Sequence, residues 1–340
     1  MEVVFRADSS IEIGSGHVMR TLVLADELRS RGASISYICR DLPGNLISLI
    51  ERVGYPVAVI PSPDSGSLIN SDADFVKLHL QNRVKVDWLV IDHYSLGIEY
   101  ESLLRESVSW IMVIDDLANR RHDCDLLLDQ GYFGYNKQRY EKLVPRHCRC
   151  FVGPAWFLLR PEFMAVNKRV RDKSIGRILV SFGGSDSGNA TSRALASIAE
   201  VVPKNIEIDV VVGAQNPHRE NICEFCDLNV NTKYYIDTTK IALLINAADL
   251  AIGSVGVTAL ERLYMGVPSF VTPIAINQKQ TIVDMENRNM VKSYSNSYEL
   301  SQLLLKAIDD GGWVPPDVVR SGTRAVADAM FGMARVCGAD

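Results

Sequence analysis

Three short segments combine glycines with side chains that can bind anions or move protons. Residues 6–17 run from an apolar stretch into a helical pattern and end in Gly14-Ser15-Gly16-His17. The two glycines allow a sharp turn and a close approach to a ligand, and the amides of the following helix can bind an anion. Because histidine titrates near neutral pH, His17 is either a functional residue at the mouth of this loop or a loop residue that caps its own helix. The third glycine of the dinucleotide fingerprint is missing, which disfavours NAD.

Two further segments lie in the second half, each between an apolar stretch and a helical pattern. Residues 181–188 lack the Lys-Ser/Thr ending of a P-loop, so Gly183-Gly184 either holds a phosphate or forms a tight turn. In residues 253–261, small residues let backbone amides meet a diphosphate at the N-terminus of a helix. Glu261 lies one turn further along, where it either accepts hydrogen bonds from ribose hydroxyls or stands exposed on the helix.

Carboxylates and thiols are the other candidates for chemistry. Asp92 and the pair Asp115-Asp116 follow apolar segments, where such residues bind magnesium, cap helices or accept hydrogen bonds from loop amides. The seven cysteines include a C-x-x-C pattern at residues 223–226 and a C-x-C pattern at residues 148–150. Neither pattern has the spaced second half that a zinc site needs. We therefore predict no metal, and reduced thiols in place of a disulfide framework.

Three polar residues near the apolar segments of the second half have two interpretations each. Arg160, in Leu-Leu-Arg-Pro-Glu, is either an anion ligand or a salt-bridge residue at a hinge. Asn277 and Gln278 either donate amide hydrogen bonds to a polar ligand or cap the next helix. The residues alone leave both interpretations open.

The composition excludes several classes of protein. With 36 basic and 41 acidic residues the net charge is −5, so no general attraction to nucleic acid or anionic lipid is expected. No apolar run approaches the ~18 residues of a spanning helix, and the first residues form no uninterrupted apolar signal segment. We expect a cytoplasmic protein without nucleic-acid or membrane partners.

Short β-branched apolar segments alternate with helical spacing in both halves, which predicts parallel sheets wrapped by helices. The predicted strands are residues 3–5, 35–39, 57–60, 88–91, 110–114 and 126–128, then 177–181, 206–212, 249–253 and 269–272. A charged connector at residues 167–173 separates the halves. The prediction is an α/β fold of two Rossmann-like, doubly wound domains, residues 1–160 and 161–340, that face each other across a cleft. The helical run 316–336 fits either domain.

Taken in order, these motifs resemble the UDP-2,4-diacetamido-2,4,6-trideoxy-β-L-altropyranose hydrolases of pseudaminic acid biosynthesis. That family is similar to the inverting GT-B glycosyltransferases and uses water as acceptor. The resemblance rests on residues 5–8 with 13–20, 92–94, 115–120 with 124–129, 158–163, 181–186, 253–261 and 276–278. It implies a GT-B-like fold and hydrolysis of a UDP-sugar, with inversion, without a metal or other cofactor.

The resemblance also implies roles for individual residues. His17 matches the catalytic base, Tyr94 and Asn277 match positions near the sugar, and the N-terminal domain would hold the sugar and water. The C-terminal domain would hold UDP. With the neighbouring motif residues, the predicted substrate-binding set is Gly14, Ser15, Gly16, Arg20, Tyr94, Arg160, Asn277 and Gln278. The predicted UDP-binding set is Gly183, Gly184, Ser254, Val255, Gly256, Val257, Thr258 and Glu261.

Two other functions compete with this interpretation. One is an inverting glycosyltransferase on the same scaffold, in which a sugar acceptor replaces water; the absence of an evident membrane-docking face favours hydrolysis. The other is a non-catalytic nucleotide-sugar binding protein, against which His17 argues. Within the hydrolase interpretation, a related UDP-sugar is an alternative substrate. The expected state is a monomer or a weak homo-oligomer.

Overall fold

The computed structural model divides into two compact units. It describes residues 1–61, 68–81, 85–131, 137–184, 186–214, 216–275 and 278–336, apart from the side chains of residues 68–70, 137, 335 and 336. The first unit comprises residues 1–159 together with the chain from Arg320 onward, and the second comprises Arg160–Val319.

The first unit contains a sheet of seven strands in the order β3-β2-β1-β4-β5-β6-β7, and all its neighbouring strands run parallel. The strands are β1 (Glu2–Ala7), β2 (Ser34–Arg40), β3 (Val57–Ile60), β4 (Trp88–Asp92), β5 (Trp110–Ile114), β6 (Leu126–Asp129) and β7 (Arg149–Val152). The helices are α1 (Gly16–Ser30), α2 (Ile47–Arg52), α3 (Leu68–Gln81) and α4 (Ile98–Leu104). Apolar residues of α1 and α2 pack on one face, and those of α3 and α4 on the other.

The second unit repeats this plan with six parallel strands in the order β10-β9-β8-β11-β12-β13. The strands are β8 (Arg177–Ser181), β9 (Glu207–Val212), β10 (Thr232–Ile236), β11 (Leu250–Gly253), β12 (Ser269–Val271) and β13 (Lys292–Ser293). The helices are α5 (Pro161–Ala165), α6 (Ala190–Val201), α7 (Arg219–Asp227), α8 (Ile241–Ala247), α9 (Val257–Tyr264), α10 (Gln278–Glu286) and α11 (Ser297–Asp310). The prediction of two Rossmann-like, doubly wound domains is confirmed.

The last helix of the described chain, α12 (Thr323–Val336), packs on the first unit. Its apolar face is fully buried at Val326, Ala327 and Met330. These residues share a core cluster with apolar residues of α1 and with the residues on one face of β1. The Trp88 indole donates to the carbonyl of Met330 at 3.3 Å. The predicted second domain extended to residue 340, and the structure differs because the apolar face of α12 completes the core of the first unit.

Among the described residues, no helix is both long enough and apolar enough to cross a membrane. The predicted cytoplasmic location stays a prediction.

We expect Met330→Ala to lower the free energy of unfolding by about 2–5 kcal/mol, because a fully buried side chain is removed and a cavity remains. Chemical denaturation followed by circular dichroism measures the change. Arg324→Ala, at an exposed position of the same helix, is the control. Equal effects of the two substitutions would show that α12 does not contribute to the core.

Candidate functional site

The order of strands in the first unit reverses between β1 and β4, which are neighbours in the sheet. Ligands of doubly wound folds bind at such a switch point, beyond the carboxyl ends of the strands. The loop after β1 leads directly into α1, whose second residue is His17. Asp92 is the last residue of β4 and pairs in register with Ala7. The topology therefore brings together two residues that lie 75 positions apart in sequence.

The Asp92 carboxylate is fully buried and holds two side chains from the first turn of α1. Nδ1 of His17 lies 2.5 Å from Oδ1, while Arg20 donates from Nε to Oδ2 and from Nη2 to Oδ1, both at 2.6 Å. Burial raises the pKa of Asp92, but the charges of Arg20 and His17 outweigh burial and lower the pKa to about 2. Asp92 is therefore ionised at neutral pH.

This ionised carboxylate determines which nitrogen of His17 carries the proton. An ionised carboxylate accepts hydrogen bonds and cannot donate one, so the 2.5 Å contact with Asp92 favours the proton on Nδ1 of His17 over the longer 3.3 Å contact of Nδ1 with Nη2 of Arg20. The neutral imidazole then has its lone pair on Nε2, and no described residue donates a hydrogen bond to that atom. The Asp92 carboxylate thus orients the imidazole through Nδ1 and leaves Nε2 as a basic nitrogen, as general-base catalysis requires.

Tyr94 and Asp116 complete the surroundings of the imidazole. The Tyr94 ring meets His17 edge-on, with 4.4 Å between the ring centres. Burial, together with the nearby Asp116 carboxylate, raises the pKa of Tyr94, so the phenol stays neutral and can donate a hydrogen bond. Asp116 binds Nη1 of Arg20 through Oδ2 at 3.0 Å, whereas Oδ1 is buried without a partner among the described residues.

The loop before α1 places the predicted glycines beside His17. Gly14 adopts the left-handed region with φ 81°, a conformation that favours glycine, and its amide donates to the Ser10 carbonyl at 2.8 Å. Ser15 occupies the position that precedes the helix, but its side chain makes no capping hydrogen bond. The first amides of α1 therefore lack intrahelical acceptors at the point where His17 enters the site.

A second buried network supports the end of β1. Arg6 donates to Asp8 at 2.6 Å and to Asp72 at 2.6 Å, and Arg40 donates to Asp72 at 2.7 Å. The hydroxyl of Tyr100 also donates to Asp72, at 2.7 Å. These side chains come from different strands and helices, so their ion pairs fix the strand ends from which the His17 loop departs.

In the second unit the strand order reverses between β8 and β11. In the loop after β8, Gly183 has φ 93°, and Gly184 packs so closely on Gly213 that a Cβ on Gly213 would lie 1.9 Å from the Gly184 carbonyl oxygen. Asp186 accepts from the amides of Ala190 and Thr191 at 2.8 and 2.9 Å. Two amides at the start of α6 are therefore already used, and a phosphate here would depend on the amides of the exposed glycines.

The loop after β11 offers a more open anion site. Gly256 occupies the cap position of α9 and is exposed, with no side chain capping the helix. No acceptor among the described residues binds the amides of Gly256, Val257 or Thr258. Ser254 and Val255 are buried beneath this turn. The predicted diphosphate-binding residues therefore form a helix N-terminus with unoccupied amides.

Glu261 is fully buried, so its interpretation as an exposed helix residue is wrong. Arg160 binds both of its carboxylate oxygens, from Nε at 2.7 Å and from Nη2 at 2.9 Å. Arg160 is thus a salt-bridge residue within the second unit. Each carboxylate oxygen keeps a further lone pair for another donor.

The remaining predicted residues are only partly described. Gln278 begins α10, and its Oε1 accepts from the Ile274 amide at 3.0 Å. Asn277 lies outside the described residues. No group of three or more His, Cys, Asp or Glu in the described part of the chain is arranged to hold a metal ion.

The sequence predicts His17, Arg20 and Tyr94 as site residues, but it does not predict Asp92 as one. From the sequence alone, Asp92 fits a metal ligand, a helix cap or an acceptor for loop amides. Its position at the end of a strand was the available signal. That β4 would lie next to β1 was not visible in the sequence.

Comparisons with known proteins extend these findings. No family model matches the chain. The chain is 32% identical over 266 residues to the UDP-2,4-diacetamido-2,4,6-trideoxy-β-L-altropyranose hydrolase of Campylobacter jejuni subsp. jejuni serotype O:2, covering 78% of this chain and 89% of that protein. It is 23% identical over 228 residues to a Helicobacter pylori protein named as a pseudaminic acid cytidylyltransferase and the same hydrolase, covering 64% and 41% respectively.

Among solved structures, MurG of Acinetobacter baumannii, a GT-B glycosyltransferase, superposes with a TM-score of 0.66 at 14% identity. The match covers 98% of this chain and 99% of that one. At this level of identity the likeness shows the fold alone. The GT-B-like fold class is confirmed.

The tautomer of His17 can be measured directly. At alkaline pH we expect ¹⁵N NMR of the imidazole to show the proton on Nδ1, because ionised Asp92 accepts a hydrogen bond from that nitrogen. Asp92→Asn should populate both tautomers, whereas Asp116→Asn, which alters Arg20 and leaves the imidazole hydrogen bond intact, should not. A wild-type signal from protonated Nε2 would contradict the proposed hydrogen bond.

Proposed function

Because the chain belongs to the family of UDP-2,4-diacetamido-2,4,6-trideoxy-β-L-altropyranose hydrolases, we propose that it hydrolyses this UDP-sugar in pseudaminic acid biosynthesis. The products are UDP and the free sugar. The observation that carries the proposal is the His17–Asp92 pair at the switch point of the first unit, with Nε2 of His17 left to accept a proton.

In the proposed reaction, water attacks the anomeric carbon opposite the UDP oxygen and inverts that centre. The water oxygen forms the new bond to carbon, and its proton passes to Nε2 of His17. The bond from carbon to the UDP oxygen breaks, and its electron pair leaves with the phosphate. Asp92 stabilises the imidazolium that forms, as the carboxylate of a catalytic triad does.

We assign the sugar and the attacking water to the first unit. The Tyr94 ring contacts the imidazole, and its neutral hydroxyl suits a hydrogen bond to the sugar. Gly14, Ser15 and Gly16 allow the substrate to approach the start of α1. Arg20 acts through Asp92 and Asp116 and so positions the base. Asn277 and Gln278 stay predictions as sugar ligands.

We assign UDP to the second unit. The amides of Gly256, Val257 and Thr258 suit the charge that develops on the departing diphosphate. Glu261, which Arg160 holds, lies within the first two turns of the same helix, where its free lone pairs suit ribose hydroxyls. Gly183 and Gly184 would contribute backbone amides.

The second candidate is an inverting glycosyltransferase, which the GT-B fold favours. It needs the same base and the same UDP site, with a sugar hydroxyl in place of water. Release of UDP and free sugar without any acceptor distinguishes hydrolysis from transfer. Binding of UDP-sugar without turnover would indicate a non-catalytic binding protein.

We expect His17→Asn to lower turnover by about 10²–10⁴-fold, the usual size of general-base catalysis, while UDP binding and folding persist. The wild-type rate should fall at acid pH, because only neutral imidazole accepts the proton. This fall in rate at acid pH should be absent from the His17→Asn protein. His147→Asn, at an exposed histidine, is the matched control, and UDP release assayed across pH is the measurement.

Hydrolysis in water labelled with oxygen-18 tests the bond that breaks. The label should appear on the sugar C1 hydroxyl and not in UDP. Label in the UDP phosphate would mean attack at phosphorus, and the placement of His17 beside the sugar carbon would be wrong.

Metal independence is a separate part of the proposal. Because the base is an imidazole and the diphosphate site is built from amides, the rate of UDP release should persist in excess EDTA. Loss of activity that magnesium restores would contradict this and make Asp115 and Asp116 candidate ligands.

A further inference from the structure

Arg262 is a buried guanidinium directly beneath the open turn of the second unit. Only 1% of the residue is exposed. Its Nη2 donates to the carbonyl of Ser254 at 2.7 Å, and its Nε donates to the hydroxyl of Ser269 at 3.1 Å. Its Nη1 is buried and has no acceptor among the described residues.

No carboxylate in the described part of the chain forms an ion pair with Arg262. The neighbouring Glu261 is engaged on both oxygens by Arg160. Burial lowers the pKa of Arg262 to about 10, and the charge of Glu261 offsets burial only in part. A buried cation is costly when no anion pairs with it, and Arg262 has no ion-pair partner of its own under the turn among the described residues.

Arg262 also determines how the turn is oriented. The carbonyl and the amide of a trans peptide point in opposite directions, so holding the Ser254 carbonyl directs the Val255 amide away from the guanidinium. Gly253 permits this contact, since a Cβ there would lie 2.9 Å from Nη1 and 2.2 Å from the Ser181 carbonyl oxygen. The charge and the amide orientation therefore favour an anion at the same turn.

We propose that Arg262 is a positioning residue for the diphosphate of the nucleotide. Its buried charge compensates the phosphate charge, and its hydrogen bond to Ser254 orients the turn that receives the phosphates. It is distinct from the amides of Gly256, Val257 and Thr258, which are assigned to direct contact. This inference rests on the proposed function, because it takes UDP as the ligand of the second unit.

The test compares uridine, UMP and UDP, which share a base and ribose but differ in charge. Isothermal titration calorimetry gives the affinity of the full-length protein for each. In Arg262→Met we expect UDP affinity to fall by about tenfold or more and uridine affinity to change by less than about twofold, because only the phosphates depend on the charge. In Arg262→Lys, which keeps the charge but loses the planar fork, the loss for UDP should be smaller.

Arg171→Met is the matched control, since Arg171 also donates to backbone carbonyls of this unit, including that of Met265 at the other end of α9. It should leave the ratio of UDP to uridine affinity unchanged. Thermal unfolding reports whether each variant is folded, and Arg262→Gln replaces the Met variant if that protein does not fold.

An equal loss for uridine and UDP would overturn the inference and make Arg262 a purely structural residue. An equal loss of UDP affinity in the Lys and Met variants would also overturn it, because charge would not be the cause. If the wild-type protein binds UDP with the expected Arg262 dependence but releases no UDP from the UDP-sugar, the proposed hydrolysis is wrong while this inference stands.

Discussion

Asp92 ends the central strand β4 out of contact with solvent, where an unpaired carboxylate would be strongly destabilising. It is ionised there because Arg20 donates to both of its oxygens and His17 to one. Residues three apart on a helix lie on the same face, so one carboxylate holds the whole first turn of α1 against β4. The position of the loop before α1 and the protonated nitrogen of the imidazole follow from this contact, and the His17 ring it holds packs against Tyr94.

The second unit contains one buried cation, Arg262, that no carboxylate of the described residues pairs with. In the first unit each buried cation of the site has a carboxylate partner, and the networks around Asp92 and Asp72 are compensated within the protein. Arg262 has backbone and hydroxyl partners but no ion-pair partner in the described residues. Buried side chains that pair with an opposite charge orient groups for proton transfer, whereas a buried cation without such a partner attracts an anion. This difference agrees with the proposed division between a unit for water and sugar and a unit for the nucleotide.

The same strand order in both units explains why the two sets of residues lie where they do. Each sheet reverses its order between its first and fourth strands, at β1 and β4 and at β8 and β11. At such a point the loops after neighbouring strands turn to opposite faces and leave a crevice. Glycine-containing loops lead from β1, β8 and β11 into helices. The helix starts after β1 and β11 keep amides available to an anion, whereas Asp186 already accepts from two amides of α6.

Local patterns in the sequence were sufficient to predict much of this protein. Short β-branched segments alternating with helical spacing predicted both parallel sheets, because strand and helix periodicity depend on near neighbours. The glycine loops before α1 and α9 were recognised because sharp turns restrict residue type. His17 was singled out because histidine is suited to accept a proton near neutral pH.

Only the tertiary structure decided which distant side chains meet. Asp92 lies 75 residues from His17, and Arg160 lies 101 residues from Glu261, and such pairs depend on strand order and not on local pattern. The packing of α12 on the first unit likewise depends on which core its apolar face completes. That Arg262 forms no ion pair with another described residue could not be predicted from sequence, because burial and ion pairing are properties of the folded chain.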